Sequence, residues 1–135
     1  MRPEWDTYYL GIAQAVAARA DCTRRQVGAV VVDQFNRILS AGYNGAPPGR
    51  PGCLEGACPR GRLDYNVVPA FTDYSDPESS GYCVAIHAEV NALIHAGYSP
   101  GATIYITDQP CEGCKKVIQS AGITRAVWPG GKMSF

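Results

Sequence analysis

Net charge is the first property that this sequence lacks. Its 135 residues include 12 Lys and Arg and 12 Asp and Glu, so the formal charge at pH 7 is zero. Proteins that hold a long phosphate backbone usually carry a basic excess, because their phosphate contacts are made by Lys and Arg. The balance therefore argues against nucleic acid as a partner, whereas a small charged ligand needs only two or three local cations.

Long apolar runs are also missing. The longest apolar stretches, such as residues 28–32, have the length of a strand rather than the roughly 20 residues that cross a bilayer. The first six residues contain no basic region followed by an apolar core, as a secretory signal would. We therefore expect a cytoplasmic protein with no membrane partner, in which the six cysteines bind metal or do chemistry instead of forming a disulfide scaffold.

What is present is the composition of one folded domain spanning residues 1–135, with 46% hydrophobic residues for its core. Residues 45–82 are rich in proline and glycine, and a loop of this length is usually functional or held by a ligand. The order of the remaining elements indicates an α/β fold with a mixed sheet and helices on its faces. Apolar periodicity predicts helices over about 5–20, 86–96 and 111–121, and strands over 27–32, 38–43, 103–107 and a last one at 125–128.

Three metal-ligating side chains lie at the predicted starts of two helices. Cys111 and Cys114 are three residues apart, so both sulfurs face the same side of a helix whose N-terminus stabilises thiolates. His87 begins the other helix. One imidazole and two thiolates make three zinc ligands and leave the fourth position for water, which is the arrangement of catalytic zinc sites.

Glu89 follows His87 by two residues, close enough to reach a zinc-bound water without binding the metal. Zinc lowers the pKa of such a water towards neutrality, and a neighbouring carboxylate can take its proton and pass it to a substrate. The combination H-x-E…P-C-x-x-C is the signature of zinc nucleobase deaminases. By itself the cysteine pair would also fit a redox pair or half of a structural zinc site, but together with His87 and Glu89 it favours catalytic zinc.

Further segments give the sequence a family resemblance. Residues 5–6 (WD), 22–30 (CTRRQVGAV), 42–49 (GYNGAPPG) and 121–123 (AGI) accompany the two zinc motifs. With them the chain resembles the cytidine and deoxycytidylate deaminase superfamily, specifically its dCMP deaminase branch. The resemblance runs over most of residues 5–128 and is weakest across 59–82.

The resemblance implies a three-layer α/β/α cytidine-deaminase-like fold and hydrolysis of dCMP to dUMP and ammonia. It also implies a homo-oligomer, commonly a hexamer, that dCTP activates and dTTP inhibits, with Mg²⁺ accompanying the triphosphate. By matching position, Asn44 holds the deoxyribose hydroxyl and Ala88 lies at the substrate. The effector site borders the same loop, through Gly42, Tyr43, Asn44, Gly45 and Gly49.

A nucleotide phosphate needs cationic donors, and five arginines lie in or near the loops expected around the pocket. We favour Arg24 and Arg25, and the other three are Arg50, Arg60 and Arg62.

Four cysteines remain after the catalytic pair is assigned, all in non-periodic stretches: Cys22, Cys53, Cys58 and Cys83. A closed Cys₄ zinc site would explain how a loop with few large apolar residues stays ordered. The resemblance supports Cys22 and Cys53, which match positions of a structural zinc in some relatives, whereas Cys58 and Cys83 are inferred from this sequence. The alternative is a set of separate buried or free thiols.

Other functions remain open at this point. A tRNA adenosine deaminase shares the zinc chemistry, but the zero net charge and residues 42–49 argue against it. A non-catalytic zinc module has no use for Glu89 as a proton shuttle. The sequence does not separate dCMP from another cytosine nucleotide or nucleoside, including one with a modified base.

Overall fold

The computed structural model describes residues 1–70 and 72–135. Two short 3₁₀ turns, Cys53–Glu55 and Arg60–Arg62, interrupt the long loop. The helices are α1 (Trp5–Ala17), α2 (Ala88–Ala96) and α3 (Glu112–Ser120), and the strands are β1 (Gly28–Val32), β2 (Ile38–Tyr43), β3 (Thr103–Ile106), β4 (Arg125–Trp128) and β5 (Gly131–Ser134).

The five strands form one mixed sheet in the order β2-β1-β3-β4-β5. Strands β3 and β4 are parallel, and the other neighbouring pairs are antiparallel. Because β2 and β3 are both antiparallel to β1, they run in the same direction. Helices α2 and α3 each connect two strands of the same direction, and right-handed crossovers place both on one face of the sheet.

Alternation along the strands divides the core into two layers. Val30 and Val32 of β1 pack with the buried side of α1, whereas Ala29 and Val31 face α2. Successive side chains of a strand point to opposite faces, so a run buried throughout, as β1 is, must be covered on both. The predicted three-layer α/β/α arrangement with a central mixed sheet is confirmed.

Two glycines allow the helices to approach the sheet closely. A Cβ on Gly28 would lie 2.1 Å from the Ala13 carbonyl oxygen of α1. On the opposite face, a Cβ on Gly42 would lie 2.4 Å from the Ala92 nitrogen of α2. Both helices therefore pack main chain against main chain, and Gly42, predicted as an effector contact, has a packing role.

The prediction that 125–128 is the last strand is wrong. Strand β5 pairs antiparallel with β4 after a turn in which Gly130 has a φ of +83°. The alternation of partly buried and exposed side chains in β5 covers only four residues, with Met133 partly buried against the core. A pattern of this length is too short to detect from the sequence. Helix α1 ends at Ala17 rather than 20, because the following residues form 3₁₀-type hydrogen bonds, including Ala20 N–H to the Ala17 carbonyl at 3.0 Å.

Across residues 1–70 and 72–135, no helix combines the length and apolar character that a membrane span requires.

Candidate active site

The N-termini of α2 and α3 meet at one edge of the sheet. His87 is the N-cap residue of α2 and Cys111 that of α3, so the two helices begin at Ala88 and Glu112, slightly later than the predicted starts at about 86 and 111. These helices follow β2 and β3, which run in the same direction, so both begin at the edge where those strands end. Ligand sites of α/β proteins lie at this edge, outside the carboxyl ends of parallel strands.

The fold brings together the three predicted zinc ligands. His87 Nδ1 lies 3.1 Å from Cys114 Sγ and 3.9 Å from Cys111 Sγ. Among the residues described, this is the group of three metal-ligating side chains whose donor atoms all lie within 4.8 Å of one another. Zn–S bonds of about 2.3 Å and Zn–N bonds of about 2.0 Å require donors at such separations, so the set fits zinc.

The two thiols have different surroundings. Cys111 is exposed and its sulfur accepts a hydrogen bond of 3.4 Å from the Cys114 backbone N–H, as a capping residue does. Cys114 is buried, and burial raises the pKa of its thiol, with the charge of Glu89 raising it further. A coordinated metal ion reverses this effect, because it deprotonates a thiol outright. The arrangement therefore favours a bound cation.

Glu89 lies in the first turn of α2 and is only 5% exposed. Burial raises the pKa of its carboxyl group, opposed by a backbone N–H and by the charge of His87. Glu89 lines the same cleft as His87 and Cys111, which places it beside the metal ligands. A carboxyl group with a raised pKa can accept and release a proton near neutrality, as a general acid–base must.

A cleft of about 240 Å³ opens beside these residues. Its lining includes every other predicted substrate residue and all four remaining cysteines, namely Arg24, Arg25, Asn44, Ala88, Cys22, Cys53, Cys58 and Cys83. The structure therefore brings together in one cavity residues as far apart in the sequence as Cys22 and Cys111.

Asn44 connects two segments of this cleft. It is 8% exposed, its Oδ1 accepts a 2.8 Å hydrogen bond from Val27 N–H, and its Nδ2 donates one of 2.9 Å to the Arg25 carbonyl. Of the predicted effector residues, Asn44 and Gly45 are buried and Gly49 is exposed. Asn44 thus fixes the backbone that carries Arg25.

The arginines differ in what holds them. Arg24 donates to the Val68 carbonyl at 2.6 Å and stacks over the Tyr65 ring at 3.9 Å. Arg60 donates to four loop carbonyls, those of Pro69, Ala70, Thr72 and Gly81. Arg25 pairs with Asp108 at the cleft, and its side chain is 60% exposed. In the described part of the chain, Arg50 and Arg62 are exposed and do not line the cleft.

The four remaining cysteines form one cluster. Cys22, Cys53 and Cys58 are buried together with Cys83 against them, although their sulfurs do not all lie within 4.8 Å of one another. Backbone N–H groups point at the sulfurs at 3.3 Å: Arg24 and Arg25 at Cys22, Thr23 at Cys53, and Gly61 at Cys58. Burial raises the pKa of the Cys83 thiol to about 11.

Sequence reasoning missed two residues of the site. Tyr74 belongs to the long loop, and its ring centroid lies 4.9 Å from that of His87. Asp108 precedes the cysteine motif and holds Arg25. Neither has a spacing signal, because both meet their partners only through tertiary folding.

Comparison with known proteins agrees with this geometry. The family model described as the cytidine and deoxycytidylate deaminase zinc-binding region matches residues 3–129. A deoxycytidylate deaminase of Mycobacterium phage D29 is 49% identical over 130 residues, covering 95% of this chain and 96% of the phage protein. The deoxycytidylate deaminase of Saccharomyces cerevisiae is 35% identical over 131 residues, and there the match spans 95% of this chain but 38% of the yeast protein.

The solved structures agree as well. A dCMP deaminase from the cyanophage S-TIM5, in complex with dCMP and dUMP, superimposes with a TM-score of 0.66 at 26% identity, covering 95% of this chain and 82% of that chain. With a family model spanning nearly the whole sequence and its zinc ligands assembled in the fold, the chain belongs to the cytidine and deoxycytidylate deaminase family.

Proposed function

We propose that this protein hydrolyses dCMP to dUMP and ammonia. The observation that carries the proposal is the position of Glu89, buried beside His87, Cys111 and Cys114 at the base of a cleft that also contains Arg25. The relatives named deoxycytidylate deaminase support the choice of substrate.

His87, Cys111 and Cys114 would hold the zinc ion, which when bound supplies a Lewis acid that activates water at neutral pH. Glu89 accepts a proton from the attacking water and delivers it to the pyrimidine ring nitrogen as the water oxygen bonds to C4. It then takes the remaining proton from that oxygen and delivers it to the amino group, so that the C–N bond breaks, ammonia leaves and the oxygen stays on C4 as the carbonyl of dUMP. Burial of Glu89 raises the pKa of its carboxyl group and so suits it to both transfers.

Arg25 is the residue that we assign to the substrate phosphate. Its guanidinium is at the cleft and mostly exposed, whereas those of Arg24 and Arg60 are engaged by loop carbonyls. Arg25 would exchange the Asp108 carboxylate for a phosphate, which like a carboxylate can accept two hydrogen bonds from one guanidinium. Asn44 keeps one amide N–H and one lone pair for the sugar hydroxyl, and Ala88 borders the base.

We also propose that Cys22, Cys53, Cys58 and Cys83 bind a second, structural zinc. Three of the sulfurs already accept backbone N–H groups, the partners that stabilise metal-bound thiolates. Gly61 also lets the backbone approach the cysteine cluster closely, because a Cβ at this position would lie 2.2 Å from Cys53 Sγ. Since the N–H groups on Cys22 belong to Arg24 and Arg25, this zinc would also hold the phosphate-binding segment in place.

Metal analysis tests the second zinc. We expect about two zinc ions per fully loaded chain, and about one in Cys53→Ser with some activity retained. One zinc per wild-type chain would contradict the proposal.

Regulation and assembly rest on the resemblance of residues 42–49 to the family. We propose activation by dCTP with Mg²⁺, inhibition by dTTP, and a homo-oligomeric, hexameric state. Rate curves against dCMP with each triphosphate, together with the mass of the protein in solution, test these proposals. Curves unmoved by either triphosphate would contradict the first two. The single domain over 1–135 and the cytoplasmic location stay predictions.

Ammonia release from a substrate panel tests the main proposal. The panel consists of dCMP, deoxycytidine, CMP, a 5-modified dCMP and tRNA adenosine, assayed with zinc-loaded enzyme. We expect dCMP to have the highest kcat/KM. A higher value for a nucleoside, the modified nucleotide or tRNA would assign the site to that substrate instead.

A further inference from the structure

Residues 72–83 border the cleft beside the metal site through Tyr74 and Cys83. Hydrogen bonds hold this segment near both of its ends. The Arg60 guanidinium donates hydrogen bonds to the carbonyls of Thr72 at 2.7 Å and Gly81 at 3.1 Å. Within the segment, Cys83 N–H donates to the Tyr74 carbonyl at 3.1 Å. The backbone of Tyr74 is therefore fixed beside the cleft.

The side chain of Tyr74 contacts one of the three zinc ligands and shares the cleft with a second. Its ring packs against the His87 imidazole with a centroid separation of 4.9 Å and an interplanar angle of 44°. Cys111, the exposed ligand, lines the same cleft. Tyr74 is itself 41% exposed.

We propose that Tyr74 is a positioning residue of the metal site, whose ring orients the His87 imidazole. Groups that hydrogen-bond or orient metal ligands fix the ligand geometry, and their removal typically costs about 10- to 100-fold in metal affinity or activity. The inference rests on the assignment of His87, Cys111 and Cys114 as the zinc ligands.

Two substitutions separate the ring of Tyr74 from its hydroxyl. Tyr74→Phe removes the hydroxyl and keeps the ring against His87, whereas Tyr74→Ala removes the ring contact.

Tyr65→Ala is the matched control. Tyr65 lines the same cleft, but among the residues described its ring is not paired with the His87 imidazole. Loss of an aromatic ring from this cleft is therefore common to both Ala variants, and only the contact with His87 differs.

The experiment loads the four full-length proteins with Co²⁺ and follows metal release to an excess of chelator. The thiolate-to-cobalt absorption distinguishes a two-sulfur site from a four-sulfur site, so release from the His87 site is identified without reference to turnover. We expect release from Tyr74→Ala to be about 10- to 100-fold faster than from wild type. Tyr74→Phe, which keeps the ring, and Tyr65→Ala should both match wild type.

Unchanged release from Tyr74→Ala would overturn the inference, as would release from Tyr74→Phe or Tyr65→Ala that is as fast as release from Tyr74→Ala. Far-UV circular dichroism of each variant establishes that it is folded. A protein that failed to deaminate dCMP but showed the expected cobalt release would contradict the proposed substrate and leave the role of Tyr74 intact.

Discussion

Glu89 is the carboxylate that the fold removes most completely from solvent among the residues described. Burial of a charged side chain is unfavourable unless it is compensated, and here the compensation is a site for a cation. The Glu89 carboxyl group can therefore change its protonation state next to the metal ligands.

Glu89→Gln should retain zinc and fold but lose about 10²- to 10⁴-fold in turnover, because an amide cannot transfer the proton. The measurement is kcat for ammonia release at saturating dCMP, with zinc content determined on the same sample. Glu112→Gln is the control, since Glu112 is an exposed glutamate of α3 paired with Lys115. A near-normal kcat of the Glu89→Gln enzyme would contradict an acid–base role for Glu89.

Arg25 is the residue on which monophosphate preference should depend. Arg25→Gln should lower kcat/KM for dCMP by about 10- to 100-fold, because a hydrogen bond to a charged group contributes about 1.5–3 kcal/mol. Deoxycytidine has no phosphate, so its kcat/KM should change little. Arg62→Gln, which alters an exposed arginine of the loop, should affect neither substrate. Equal losses on both substrates would mean that Arg25 does not read the phosphate.

At the scale of elements, the contact between β2 and α2 positions His87 and Glu89. The contact is close because Gly42 has no side chain and faces Ala88 and Ala92. Ser40 of the same strand adds a hydrogen bond of 2.6 Å to the Ala92 carbonyl. Helix α2 is thereby fixed against the sheet by main-chain contacts, which leave little freedom for its N-terminus to move.

Gly42→Ala should therefore destabilise the protein by about 1–3 kcal/mol, the usual cost of inserting a methyl group into a packed interior. The free energy of unfolding is measured by urea denaturation of the zinc-loaded protein. Gly11→Ala in α1 is the contrasting variant, because nothing lies within 4 Å of its new Cβ and alanine favours helix by about 1 kcal/mol. Equal stability of wild type and Gly42→Ala would show that the helix can move away at no cost.

At the scale of the molecule, one ion pair joins the beginning of the chain to its end. Asp6 of α1 binds the Arg125 guanidinium of β4 and accepts a hydrogen bond of 2.9 Å from Tyr105 of β3. The hydrogen bond from Arg125 is the main cause that lowers the pKa of Asp6, although partial burial opposes it. The pair is partly exposed, so solvent weakens it.

A lowered pKa in the folded state means that the Asp6 contribution is fully present above the unfolded-state value near 3.8 and is lost as pH falls through the lower folded value. Asp6→Asn should thus reduce the free energy of unfolding at pH 7, and the difference from wild type should shrink as pH falls below about 4. Urea denaturation of both proteins across this range measures it. A difference that is constant with pH would exclude the ion pair as its source.

Several features were available from the sequence alone. The apolar runs predicted four of the five strands and all three helices, because their side chains repeat at the period of the element that buries them. The spacing of His87, Cys111 and Cys114 predicted the three candidate ligands that the fold brings together, since local helix geometry determines which way neighbouring ligands face. The acid–base role of Glu89 stays a prediction. The fold and the family were confirmed.

Other features required the tertiary structure. The sequence offered five arginines for the phosphate. Only the folded structure shows that Arg24 and Arg60 are engaged by backbone carbonyls, whereas Arg25 is mostly exposed and paired with the Asp108 carboxylate, which a phosphate could replace. Tyr74 and Asp108 belong to the site although no sequence motif indicates them. The sequence determined local conformation and the ligands that follow from it, because these depend on near neighbours. The tertiary structure decided which side chains are already occupied and which remain available to a substrate, because partners tens of residues apart meet only when the chain has folded.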